Sequence, residues 1–257
     1  MPLPDPGPLV LISVLNWNDA DLTIRCVNAL RQLDYERFKI VIVDNASRDD
    51  SVARLQQALP DITLIGSESN LGYAAGNALA LAEAERLEAE LFWIVNPDAV
   101  VEPDALSALV TAYQRHGSAL YGGVPVEREN GSGERRVKLS LWATKPDGTA
   151  DLSRVKRFDG LYEEVFADPS ERAVTRLHGS SLLLPLAMIR EHGFIDPSFF
   201  LYSEESDYSL RLARKGVASY LVPRSIADHQ AQGAHKHHPH LKPLILYYQT
   251  RNRLTLI

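Results

Sequence analysis

Leu91-Phe92-Trp93-Ile94-Val95-Asn96-Pro97-Asp98-Ala99 is the stretch that decides the fold. Five apolar residues stop at Asn-Pro-Asp, and a short apolar run closed by a proline turn reads as a buried strand. A strand covered on both faces belongs to a mostly parallel sheet between helices. In such sheets, ligands sit just beyond the carboxyl ends of the strands. Asp98 falls there, on a turn that Pro97 stiffens by fixing its own φ. Two readings stand side by side. Asn96 and Asp98 are turn and cap residues, or they are ligand-binding residues.

Toward the N-terminus, strand and helix alternate. Leu9–Leu15 reads as a strand ending at Asn16-Trp17-Asn18, and Asn18 or Asp19 can cap a helix over Asp21–Leu33. Leu22, Cys26, Ala29, Leu30 and Leu33 recur there at helical spacing. Phe38–Val43 is a second strand, ending at Asp44-Asn45. Ser47 with Asp50 resembles a capping box opening a helix toward Ala58. A third strand, Ile62–Ile65, precedes Asn70-Leu71-Gly72-Tyr73-Ala74-Ala75-Gly76-Asn77, which enters an alanine-rich helix ending near Leu87. Short strand–helix connections predict parallel strands. Their polar tips, Asn16, Asp44, and Asn96 with Asp98, then converge on one edge of the sheet.

Beyond the deciding stretch, Glu102-Pro103-Asp104 begins a helix with proline at its tolerated first position, and Ala119–Pro125 closes the first half. Glu127 to about Arg172 is charged and weakly periodic, with Arg128, Arg135, Arg136 and Lys138 making it locally basic. It reads as a mobile surface excursion; the sharper alternative is a lid over an anionic ligand. A strand then runs from His178 to Pro185 and leads into a helix that Gly193 ends. An aromatic stretch, Phe194–Tyr202, feeds Ser203-Glu204-Glu205-Ser206-Asp207 at the head of a helix closed by Gly216, with Ser203 as its N-cap. Acidic residues in a first turn suit the helix dipole. Three carboxylates in four residues exceed what a cap requires, and crowding raises carboxylate pKa values as a general base needs.

Ala218–Val222 is another strand, followed by Ile226-Ala227-Asp228-His229. Five of the eight histidines lie between His229 and His240, yet no cysteine is near and the spacing matches no structural zinc pattern. A functional His229 followed by a solvated loop is the expectation. Leu241–Ile257 reads as an amphipathic helix carrying Arg251 and Arg253. It has no cap signal at its end, so continuation of the natural chain is left open.

The bulk numbers bound the rest. Length 257 suits one large α/β domain or two lobes sharing a sheet. A net charge of −6 argues against a nucleic-acid partner. The single cysteine, Cys26, excludes an internal disulfide and fits a reducing compartment. No apolar run reaches the ~20 residues of a membrane span, and Met1–Pro8 does not read as a signal peptide. The expected location is the cytoplasm, with peripheral contact at the inner face of a membrane left open.

No G-x-G-x-x-G follows the first strand and no Gly-Lys-Ser/Thr loop exists, which disfavours dinucleotide oxidoreductases and P-loop enzymes. A strand-end carboxylate suits Mg²⁺ or Mn²⁺, whose remaining ligands come from water and substrate phosphates. A departing diphosphate needs that charge neutralisation. A separate acidic cluster can deprotonate an incoming hydroxyl. Together these describe group transfer from an activated nucleotide.

Six motifs in this order resemble the family 2 inverting glycosyltransferases of GT-A fold, in their bacterial rhamnosyltransferase-like branch. They are Val-Leu-Asn-Trp-Asn at 14–18, Val-Asp-Asn-Ala-Ser at 43–47, the 70–77 segment, Asn-Pro-Asp-Ala at 96–99, Phe-Phe-Leu-Tyr-Ser-Glu-Glu-Ser-Asp-Tyr-Ser-Leu-Arg at 199–211 and Tyr-Tyr-Gln-Thr-Arg-Asn-Arg at 247–253. The resemblance covers nearly the whole chain. It implies a Rossmann-like, mostly parallel sheet flanked by helices with a smaller acceptor-side lobe. Residues 1–126 would be the nucleotide-sugar half and 127–257 the acceptor and base half.

The resemblance also implies roles. Asp44 accepts from the pyrimidine N–H, and Leu15 and Asn16 line the base pocket. Asn70 and Asn77 border the nucleotide. Asn96 and Asp98 stand at the two aspartates of an Asp-x-Asp motif, Asp98 binding the metal and His229 completing its site. Glu205 takes the place of the usual aspartate base beside Glu204. That change leaves Glu204, Glu205 and Asp207 open as the base. Arg251 would meet the diphosphate. The implied donor is a dTDP- or UDP-sugar, foremost dTDP-L-rhamnose. The implied acceptor is a saccharide or lipid-linked saccharide of cell-surface polysaccharide synthesis, and a homodimer is left open. The other readings are a sugar-nucleotide nucleotidyltransferase and a non-catalytic nucleotide-sugar-binding module.

Overall fold

The strand at the centre of the sequence reading, β4 (Leu91–Val95), is wholly buried. Side chains alternate across a strand, so Phe92 and Ile94 join one apolar layer while Leu91, Trp93 and Val95 join the other. The Trp93 indole is satisfied at depth by donating Nε1–H to Ser181 Oγ at 3.0 Å. Truncating a ring so placed costs about 3–5 kcal/mol. The computed structural model describes residues 7–128, 133–144, 150–229 and 242–256.

Parallel pairing builds the first half. β1 (Val10–Asn16) lies between β2 (Phe38–Asp44) and β4, and β3 (Thr63–Gly66) follows β2. Two helices, α1 (Ala20–Leu30) and α2 (Ser51–Ala58), put Cys26, Val27, Leu30 and Leu55 into the Trp93 layer. Asp19 caps α1 by accepting from Leu22 N at 3.3 Å. The alanine-rich α3 (Gly72–Arg86) buries Ala74, Ala80 and Ala84 in the opposite layer. The expected capping box at Ser47 does not form. Helix α2 starts only at Ser51, because Ser47 is drawn to Asp44 instead.

The second half is mixed. After β5 (Ala99–Val101), α4 (Ala105–His116) starts behind Pro103 rather than on it. Then come β6 (Leu120–Arg128), β7 (Arg135–Thr144), β8 (Ala150–Leu161), α5 (Tyr162–Val165) and β9 (Arg172–Val174). β10 (Ser181–Pro185) inserts antiparallel between β4 and β6. It is followed by α6 (Leu186–His192), closed by Gly193, and a 3-10 turn at Pro197–Phe199. The last elements are α7 (Glu204–Arg214), β11 (Ser219–His229) and α8 (Lys242–Thr255). The sheet runs β3-β2-β1-β4-β10-β6-β11-β5.

The surface excursion expected after Glu127 is instead a long antiparallel hairpin, β7 on β8. Val137, Leu139 and Leu141 alternate into the core, where they meet Phe158, Tyr162 and Phe166. Two of the arginines in this region pair with protein carboxylates. Arg135 reaches Glu102 at 2.9 Å and Glu163 at 2.7 Å, and Arg128 reaches Glu102 at 3.0 Å and Asp228 at 3.1 Å. The histidine-rich stretch 230–241, expected as a solvated loop, and the first six residues lie outside the described residues. No helix among the described residues is long and apolar enough to cross a membrane.

Candidate active site

Parallel register sets the first wall. Asn16 and Asp44 are direct partners at the carboxyl ends of β1 and β2. Asn16 Nδ2 donates to Asp44 Oδ1 at 2.7 Å, and Asn16 Oδ1 accepts from Thr23 Oγ1 at 2.7 Å. Asp44, only 3% exposed, also accepts from Ser47 N at 2.9 Å through Oδ2 and from Ser47 Oγ at 2.6 Å through Oδ1. Asn45 then ties this edge to the start of α3. It donates to Asn70 Oδ1 at 3.0 Å and accepts from Leu71 N at 2.9 Å. Gly72 has φ +78°, and a Cβ there would stand 2.3 Å from Phe200 O. Gly76 leaves space for Leu15, whose Cδ1 would meet a Cβ at 2.6 Å.

Asn77 lies beneath this wall rather than bordering the cleft. It is fully buried, accepts from Ser13 Oγ at 2.8 Å and donates to Tyr73 O at 2.9 Å. Its Oδ1 ties α3 to β1, while its Nδ2 bonds back one turn within α3.

The second wall comes from antiparallel register. β11 pairs with β5 so that His229 lies opposite Ala99, one residue past Asp98. His229 Nε2 is consequently 3.2 Å from Asp98 Oδ1, each side chain about one-sixth exposed at 17% and 16%. Burial opposes charge on His229, but the hydrogen bond and charge of Asp98 outweigh it and lift its pKa above the ordinary value. The His178 ring sits 5.5 Å away, edge to face. Burial, then His229 and Arg176, hold His178 down at about 4.

The third wall is the head of α7. Phe200, Tyr202 and Ser203 all have positive φ, at 61°, 66° and 69°. Such conformations cost non-glycine residues about 1–3 kcal/mol each and gather at functional sites. Ser203 therefore cannot act as the expected side-chain cap; it makes no cap hydrogen bond. The arch turns Glu204 and Glu205 inward, 5% and 9% exposed. Glu205 Oε1 meets Arg176 Nη2 at 3.4 Å and accepts from Ser206 Oγ at 3.0 Å. Burial, then the Glu205 charge, push the Glu204 carboxyl well above the usual carboxylate range. Glu204 Oε2 is buried without a hydrogen-bond partner among the described residues. Two carboxyls with environments this different are how acid and base roles separate.

Asp207 is not a free base. It takes a 2.7 Å ion pair from Arg211 one helical turn on. Arg251, expected at the diphosphate, has its Nε and Nη2 engaged within the protein. It donates to Phe199 O at 3.0 Å, and Asn252 beside it donates to Phe199, Leu201 and Tyr202 carbonyls at 2.7–2.9 Å. Both residues fasten α8 to the arch.

These walls face one another. Tyr202 feels burial first, then Glu204 and Asp98 together. The 176–178 segment reaches Glu205 through Arg176 and the His229 ring through His178. Tyr73, from α3, donates to Gly179 O at 2.6 Å and feels both Glu204 and Glu205. Arg176, His178, Tyr73 and Tyr202 are site residues that sequence spacing did not single out. Tyr73 and Tyr202 fell inside the quoted motifs; Arg176 and His178 acquire partners only through folding.

The family model for glycosyl transferase family 2 matches residues 10–177. The chain belongs to glycosyltransferase family 2. Among relatives of this family 2 chain is the N-acetylglucosaminyl-diphospho-decaprenol L-rhamnosyltransferase of Mycobacterium tuberculosis, 26% identical over 75% of this chain and 66% of that protein. The chain thus spans about two-thirds of that relative's length. In fold it is similar to GalNAc-T7 bound to UDP, GalNAc and Mn²⁺, with TM-score 0.66 and 14% identity over 87% of this chain and 43% of that one. It is also similar to the mannosyltransferase PcManGT of Pyrobaculum calidifontis, bound to GDP-Man and Mn²⁺. There the TM-score is 0.63 and identity 18%, over 99% of this chain and 73% of that one. These likenesses establish a GT-A-type α/β fold with a mixed central sheet.

The donor set fits a hard divalent ion. A carboxylate and an imidazole already converge, and among the described residues no third His, Cys, Asp or Glu joins them. Two protein ligands leave most of the coordination shell to water and phosphate oxygens, the usual pattern for Mg²⁺.

Proposed function

We propose that this family 2 chain is a metal-dependent inverting glycosyltransferase. It would move a sugar, foremost L-rhamnose from dTDP-rhamnose, to a lipid-linked saccharide. The observation that carries the reading is that the 176–178 segment joins the Asp98–His229 pair, through His178 at 5.5 Å from the His229 ring, to the Glu204–Glu205 pair, through Arg176 at 3.4 Å from Glu205. Relatives and solved neighbours support it. The mycobacterial relative is named for rhamnosyl transfer to a decaprenol-linked acceptor, and two neighbours hold nucleotide, sugar and Mn²⁺.

Asp98 and His229 would hold Mg²⁺ or Mn²⁺, which neutralises the charge of a leaving nucleoside diphosphate. Asn96 is neutral, so the site carries one charge fewer than an Asp-x-Asp pair and relies more on the donor's phosphates. Asp44 receives one bond on Oδ2, from Ser47 N. A carboxylate oxygen has a second lone pair, and we assign it to the pyrimidine N–H of the donor, with Asn16 and Leu15 around the base and Asn70 at the rim.

Arg176 and Ser206 both meet Glu205 Oε1. Oε2 is therefore the atom we assign to the acceptor hydroxyl proton. The deprotonated oxygen attacks the anomeric carbon from the face opposite the diphosphate. One bond forms as the other breaks, through an oxocarbenium-like transition state, and the configuration inverts. Glu204, held as the acid beside Glu205, avoids a second buried charge.

A thermal-shift screen of dTDP- and UDP-sugars with Mn²⁺ tests this, since a ligand specific to the folded state raises Tm. A rise with dTDP-rhamnose that needs both metal and Asp98 supports the reading. No rise with any nucleotide-sugar sinks it.

A further inference from the structure

Four of the five large hydrophobic side chains most exposed among the described residues lie on α8: Leu244, Leu246, Tyr247 and Leu254, at 44–69%. A rotation of about 100° per residue gathers them on one arc of the helix. Ile245 and Asn252, both buried, fall on the opposite side, where Asn252 anchors the helix to the arch. Helix α8 contains Lys242, Arg251 and Arg253 and no acidic residue, within a chain whose net charge is −6.

We propose that this face of α8 docks on an anionic lipid bilayer. An apolar arc with an aromatic ring and a basic border is the pattern of helices lying in the membrane interface. Basic residues beside such an arc gain from the negative surface of the leaflet. Charge argues against a second copy as occupant. A two-fold interface on this face would set each basic helix against itself. Because α8 is fastened to the carbonyls of Phe199, Leu201 and Tyr202, the lipid surface would lie beside the arch that carries Glu204 and Glu205. Docking rests on the helix alone; its use in reaching a lipid-linked acceptor rests on the glycosyltransferase reading.

The experiment is flotation of the full chain with vesicles of phosphatidylcholine alone and of phosphatidylcholine mixed with phosphatidylglycerol. The chain should float with the anionic vesicles and be released by salt. Leu246→Glu and Leu254→Glu should each cut recovery at least ~10-fold, since each places a charge where apolar area was buried. Both positions are exposed, so the nucleotide-sugar Tm shift should stay at the wild-type value. Absence of flotation, or variants that float like wild type, overturns the proposal. So does a dimer in sedimentation equilibrium that Leu246→Glu dissociates in the absence of lipid. Loss of the nucleotide-sugar shift in the wild type would overturn the glycosyltransferase reading and leave the flotation result standing.

Discussion

His229 Nε2 lies 3.2 Å from Asp98 Oδ1, an approach that the β5–β11 register imposes. If Asp98 and His229 are the metal's two protein ligands, as proposed, loss of the carboxylate should be felt more than loss of the imidazole. Asp98→Ala is expected to lower kcat/KM on the order of 10³-fold, equivalent to several kcal/mol of charge stabilisation. His229→Ala should raise the Mn²⁺ concentration for half-maximal transfer by roughly 10–100-fold, as for groups that tune a metal site. Manganese titrations of sugar transfer and of donor binding measure both. Metal-dependent donor binding surviving in Asp98→Ala would remove Asp98 from the metal site.

Glu205→Gln separates chemistry from binding. The amide keeps the shape of the side chain but cannot take a proton. A fall in kcat of about 10²–10⁴-fold is expected, the usual worth of a general base. The KM for donor should stay within about threefold of wild type, because the change is confined to the acceptor proton. Full turnover in Glu205→Gln would mean that another group deprotonates the acceptor.

Glu204 gives the stability a pH signature. Its folded pKa is raised by burial and by Glu205, while an unfolded glutamate titrates near ~4.3. Between those two values the folded state binds more protons than the unfolded one, so stability falls as pH rises. Its contribution is intact at and below the unfolded pKa and is lost progressively until pH passes the folded pKa. Glu204→Gln stays neutral and should flatten the profile. Wild type is expected to lose roughly 5 °C of Tm between about pH 5 and pH 9 that the variant keeps. Parallel Tm profiles for the two proteins would show that Glu204 ionises without penalty.

The first half of the sheet was legible because each strand is a contiguous apolar run and each connection is short. Parallel register then placed Asn16 beside Asp44 with no further information. The β7–β8 hairpin was missed although its signal was present. Val137, Leu139 and Leu141 alternate with Lys138 and Ser140, a period of two masked by the surrounding charge. Asp98 and Glu205 could be picked out as carboxylates at the ends of apolar segments. Arg176 and His178 could not, since nothing near them in sequence shows that Glu205 and His229 will be their partners. Ser203 misled for a related reason. The residue type suits a cap, but the arch before it sets a left-handed backbone that tertiary contacts hold.

Asn77 tests whether a motif position acts through the fold or through the ligand. Both polar ends of its amide are partnered inside the protein, by Ser13 and by Tyr73 O. Asn77→Ala should destabilise the protein by about 1–3 kcal/mol, because the Ser13 hydroxyl loses its partner at depth. Donor affinity measured below the melting transition should remain at the wild-type value. An unchanged Tm with weakened donor binding would put the Asn77 amide on the nucleotide.

Asn252 holds the arch from outside the proposed catalytic groups. Its fully buried Nδ2 donates to the carbonyls of Phe199, Leu201 and Tyr202. Those carbonyls border the residues with positive φ that aim Glu204 and Glu205 inward. Asn252→Ala removes one donor from these carbonyls, although Phe199 O keeps Arg251 at 3.0 Å, and should cost about 1–3 kcal/mol. Asn252→Asp replaces the donor with a carboxylate facing the same three oxygens and should cost more, since the buried charge is met by acceptors. As the arch relaxes, kcat should fall about tenfold in Asn252→Ala with donor KM unchanged, because a small misplacement of a base is expensive while the nucleotide wall is untouched. Wild-type stability and kcat in Asn252→Ala would show that the positive-φ arch supports itself, and that α8 contributes nothing to the position of Glu205.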